Sequence, residues 1–159
     1  MNHKWLPTWL LFAALGAGAQ MPNPYGLSVG ADTAKKLAAA AIAESRKNGW
    51  NMAVAIVDTN GDLVYFEKMD ATQLGSVDVS LDKARSAARY KRPTKVFQDA
   101  LAAGGDGLRI LRLQGATPVE GGLPLLADGK IIGAIGCSGA TSQQDGVACK
   151  AGADALNTK

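Results

Sequence analysis

The chain has 159 residues, 47% of them hydrophobic and 6% aromatic, with a formal net charge of +3, which suits one compact domain and leaves little room for a second. Its 19 glycines and alanine-rich apolar content point to close backbone packing in place of aromatic clusters. The small net charge gives no support to nucleic-acid binding, and the single histidine is His3, so the fate of the N-terminus decides whether imidazole chemistry is open.

Residues 1–19 read as a secretory signal peptide: Lys4 precedes an apolar stretch from Trp5 to Leu15, and Ala17-Gly18-Ala19 has the small-x-small form of a cleavage site. The apolar stretch is interrupted by Pro7 and is shorter than the about 20 residues a bilayer requires, so no stable membrane anchor is expected after cleavage and the mature protein is placed in the periplasm or outside the cell. A mature chain that starts at Gln20 has no histidine. This excludes Ser-His-Asp and Cys-His catalysis, histidine zinc sites and proximal-His haem ligation.

Residues 20–27 (QMPNPYGL) hold two prolines and form an extended lead-in, and residues 28–159 form the domain. Strong helix formers from Ala31 to Lys47 end at Asn48-Gly49. Asn51–Asp58 and Asp62–Met69 flank Asn60-Gly61 and predict a β-hairpin. The stripe Val77, Leu81, Ala84 and Ala88 predicts a helix over 76–91, followed by a short helix from Thr94 to Ala103, a glycine-rich loop and an extended stretch Leu108–Leu113. A second hairpin joins Leu123–Ala127 to Lys130–Cys137 through Asp128-Gly129, and a last helix runs from Ser142 to Leu156. Two hairpins imply antiparallel pairing, so the fold class is α+β, one mostly antiparallel sheet with helices packed on it.

Gly136-Cys137-Ser138-Gly139-Ala140 approaches the nucleophile elbow but ends in alanine, so a tight strand-to-helix turn is its plain reading. Backbone amides at such a turn also suit a carboxylate. Cys137 and Cys149 are either a disulfide pair or two small buried residues. Arg85, Arg89 and Arg92 fall at i, i+4 and i+7 in a basic cluster with Lys83, Lys91 and Lys95. This is a solvated face, or a cationic wall for carboxylates or phosphates.

Several short motifs recur together: Met69-Asp70-Ala71, Lys83-Ala84-Arg85, Arg92-Pro93-Thr94, Gly121-Gly122-Leu123-Pro124, Ile132 to Gly139, and Gln144-Asp145. In this order the chain from Leu27 to Leu156 resembles the GlcG/HbpS-like haem-binding family, related to the C-terminal domain of PduO-type adenosyltransferases. The resemblance implies a profilin-like domain with a five-stranded antiparallel sheet, a homo-oligomer, and haem as cofactor. It implies that Met69, Asp70 and Lys83 line or support the pocket and that Thr94 contacts the ligand, and it matches Gly121 and Gly122 to recurrent positions. The chain departs from the family at Gly146, where an acidic residue is usual, and at Cys137, where an aliphatic one is common. With no histidine in the mature chain, Tyr65, Tyr90, Met52, Met69 or a cysteine is left as axial ligand, or binding rests on the buried macrocycle and on propionates paired to Arg or Lys.

The leading expectation is therefore an exported haem-binding protein for sensing, storage or handling, with degradation as an extension, whose partner is haem or another small anionic ligand met by Arg85, Arg89, Arg92 or Lys83. One alternative is an enzyme acting on a small oxidised organic acid, with Lys83 as acid or base beside Asp70. Another is an oligomeric scaffold with a vestigial pocket.

Overall fold

A computed structural model describes residues 22–158, and the signal peptide expected over residues 1–19 lies outside them. In chain order the elements are α1 (Ala31–Lys47), β1 (Ala53–Val57), β2 (Leu63–Lys68), α2 (Ser76–Tyr90), α3 (Thr94–Ala102), a 3-10 helix (Gly105–Arg112), β3 (Gly122–Ala127), β4 (Lys130–Ser138) and α4 (Ser142–Asp154). No helix among the described residues is long and apolar enough to cross a membrane.

The sheet has the order β2-β1-β4-β3, and each neighbouring pair is antiparallel. It has four strands where five were expected. The lead-in adds a single parallel bridge, Tyr25 to Ile131 beside the start of β4, and its prolines keep it from becoming a full strand. Both hairpins form. The β1–β2 connection is looser than a two-residue turn, because Asp58 Oδ1 accepts the amides of Asn60 and Asp62 and stretches the loop over residues 58–62. Asp128 and Gly129 both take positive φ, as a primed turn requires.

The two faces of the sheet pack differently. On one face, Val54, Ile56, Leu125, Ile135 and Cys137 meet α1 and α4 in the larger core. On the other, Ala55, Val57 and Ala134 meet Ala84, Ala87 and Ala88 of α2. Here the backbones nearly touch: a Cβ on Gly136 would collide with the Ser80 carbonyl and lie 2.6 Å from the Ala84 amide nitrogen. This contact is the use to which the small-residue composition is put.

Two boundaries differ from expectation. The stretch 108–113 is not extended but is mostly the 3-10 helix, which places Leu108 and Leu111 together on the solvent side while Ile110 is buried. Helix α2 stops at Tyr90, because Lys91 is left-handed with φ 55°, so Arg92 does not continue its face.

Candidate functional site: a buried ionic frame beneath an apolar groove

Lys83 projects from α2 into the interior and is fully buried. Its ammonium donates to Asp145 Oδ2 at 2.7 Å and to the Cys137 carbonyl at 3.0 Å. Asp145, in the first turn of α4, also accepts the Ala140 amide through Oδ1 at 3.0 Å, so both carboxylate oxygens are used. Thr141 caps the same helix in a capping box with Gln144. Burial draws the Lys83 ammonium below the ordinary lysine range, and Asp145 offsets part of that shift.

The Gly121-Gly122 segment closes over this pair. Gly121 has φ +116°, and a Cβ there would lie 2.8 Å from Asp145 Cβ and 2.9 Å from Lys83 Nζ. Its carbonyl accepts the Cys137 amide, and the Gly122 amide donates to Thr94 Oγ1 at 2.9 Å. Cys137 and Cys149 are joined in a disulfide with Cα atoms 5.5 Å apart, tying β4 to α4 one helical turn beyond Asp145. Four of the expected site residues, Lys83, Thr94, Gly121 and Gly122, thus come together as a buried frame.

Above that frame lies open space. A groove of about 480 Å³ follows the β3 edge, walled by α4 through Lys150, Ala153 and Asp154 and by Lys91 and Pro93 opposite. Leu123, Pro124, Leu126 and Ile131 give it an apolar floor, and Pro22 and Asn23 of the lead-in close one end. A smaller recess of about 250 Å³ shares Pro93, Leu123 and Lys150 with it and reaches Lys95, Glu120, Gly121 and Gly122. Lys91, Lys95 and Lys150 stand around these spaces. Lys91 Nζ also sits 4.1 Å above the Tyr25 ring, Lys95 pairs with Asp99, and Lys150 pairs with Asp154.

The other expected residues lie elsewhere. Arg85 and Arg89 donate to the carbonyls of Gly61 and Asn60 and brace the β1–β2 loop. Arg92 donates to the Tyr90 carbonyl and covers the Phe97 ring at 5.7 Å, so the three arginines form no common wall. Met69 Sδ accepts the Met52 amide at 3.4 Å, and Asp70 is exposed in the turn after β2. Ser138 donates to Ser76 and is buried, in keeping with a structural turn. The groove residues were missed because prolines and leucines carry no chemical signature. The one usable signal was the proline spacing around β3 and the lead-in, which marks an edge that cannot be paired.

A family profile described as haem degrading protein HbpS-like matches residues 29–154. Protein GlcG of Escherichia coli is 37% identical over 105 residues, which is 66% of this chain and 77% of that protein. A solved double mutant of HbpS from Streptomyces reticuli is 28% identical with a TM-score of 0.76, covering 95% of this chain and 99% of its own. A solved PduOC–haem complex is 25% identical with a TM-score of 0.74, covering 82% of this chain and 96% of its own.

Proposed function

Because the chain belongs to the HbpS-like family, we propose that it is an exported haem-binding protein that takes haem into the groove along β3. The observation that carries this reading is the pairing of an apolar floor with a lysine rim. Haem is a flat apolar macrocycle bearing two propionates, so Leu123, Pro124, Leu126 and Ile131 would cover its face while Lys91, Lys95 and Lys150 meet the carboxylates. The groove volume falls in the range of about 300–1,000 Å³ usual for small-molecule sites. Haem, when bound, would supply the iron chemistry, and this chain's residues bind and orient it.

Titrating the mature protein with haemin tests the reading through the Soret band. Saturable binding is expected, weakened about tenfold or more by Leu126→Glu, since a carboxylate on the floor opposes both the ring and its propionates. No Soret shift at micromolar protein would end it.

Export is supported by the signal-like first 19 residues and by the Cys137–Cys149 bridge, which suits an oxidising compartment. A homo-oligomer is supported by the solvent-facing Leu108, Leu111 and Leu113. Lys83 is assigned to the frame and not to proton transfer, since its ammonium is sealed behind Gly121.

A further inference from the structure

Among the described residues, the groove is rich in apolar and cationic groups but has no strong donor for iron. Haem iron is ordinarily held by His, Cys thiolate, Met or Tyr, and none of these is among the eleven described residues that line the groove. Both cysteines are consumed in a buried disulfide. Tyr65 lies on β2 and Met69 just past its end, at the opposite edge of the sheet from β3. Three strand spacings of roughly 4.8 Å, about 14 Å, separate those edges. Tyr25 and Tyr90 are nearer, but each donates its hydroxyl to a backbone carbonyl, that of Ala88 at 2.9 Å and that of Gln114 at 2.7 Å. The polar groups that do face the groove are two ammoniums, a carboxylate and an amide: Lys91, Lys150, Asp154 and Asn23.

We infer that the groove reads the tetrapyrrole ring and its carboxylates and not the metal, so that a metal-free dicarboxylic porphyrin is bound as well as haem. This rests on the proposed haem site. What discriminates among ligands is then a planar apolar ring of the right breadth with carboxylates at its margin. The iron faces groups that add little affinity, and its removal leaves the apolar contact and the lysine pairs intact. The consequence is a handling protein for tetrapyrroles before or after metal insertion, with specificity set at the ring edge.

The test is a parallel titration of the mature, ligand-free protein with haemin and with protoporphyrin IX. Quenching of Trp50, the one tryptophan beyond the signal segment, serves as a common readout. Dissociation constants within about threefold of each other are expected, because no metal–ligand bond distinguishes the two. Both should weaken by a similar factor in Leu126→Glu and in Lys150→Gln, two positions exposed enough for each variant to fold, as circular dichroism would verify. Haemin binding with protoporphyrin tenfold or more weaker overturns the inference and leaves the haem reading standing, since it reveals an iron ligand. Binding of neither overturns both. Equal binding that both variants leave unchanged overturns the inference by removing the groove as the site.

Discussion

Lys83 is the largest fully buried side chain among the described residues; its ammonium is hydrogen-bonded to Asp145 and a carbonyl, and the Glu120 carboxylate adds a weaker attraction. Removing one member of such a pair leaves an uncompensated buried charge, so Lys83→Met is expected to cost about 3–5 kcal/mol in urea unfolding. Adding Asp145→Leu should recover most of this, short of about 1–3 kcal/mol for the orphaned Ala140 amide. The lysine also has a pH signature. Its folded pKa lies below the ordinary 10.5, so the unfolded chain holds the proton more tightly and the buried charge costs stability at neutral pH. That cost is relieved as pH rises through the lowered value towards 10.5, and the urea midpoint of the wild type relative to Lys83→Met should climb over that window. A flat difference would mean that Asp145 fully restores the lysine. At this scale the sequence drew notice to Lys83 without showing its burial or its pairing. Its place in a recurrent motif was visible, but its partner lies 62 positions away and the glycine that seals it lies just ahead of β3, a third element.

Between elements, the α2 contact with the sheet depends on the absence of side chains. Gly136→Val would drive a branched side chain into the Ser80–Ala84 turn, so a loss of about 3 kcal/mol or more is expected by thermal or urea unfolding, at or beyond the upper end of ordinary overpacking. The β4–α4 disulfide closes a separation of 12 residues, and replacing both Cys137 and Cys149 by alanine should lower stability by about 2–3 kcal/mol. If the double variant unfolds at the same urea concentration as the oxidised wild type, the bridge is energetically idle. Helices and hairpins were legible here because Asn48-Gly49, Asn60-Gly61 and Asp128-Gly129 punctuate them. The stretch Leu108–Leu113 was not, since a short apolar run with interleaved arginines fits a strand alternation and a 3-10 turn equally well. Arg92 was carried along a helical face that a left-handed Lys91 interrupts.

Over the whole molecule, the frame forms the base of the recess that adjoins the groove. Gly121 and Gly122 lie on the Lys83–Asp145 pair below and line the recess above, so the buried charges hold the base of the proposed binding surface in place. A variant that loosens the pair without unfolding the protein, such as Lys83→Arg, should therefore weaken haemin binding although residue 83 faces no ligand. Unchanged affinity would separate the two layers. The α+β class, the antiparallel sheet and the helix order were readable from pattern. The groove was not, because it is assembled from the lead-in, the α2–α3 junction, the β3–β4 hairpin and α4, and no local pattern records that meeting. The lead-in has a practical corollary. Pro22 and Asn23 line one end of the groove, so a group joined ahead of them is attached beside the proposed site. An affinity tag fused there would crowd that end of the groove, and the same protein tagged behind Asn157 should load porphyrin faster.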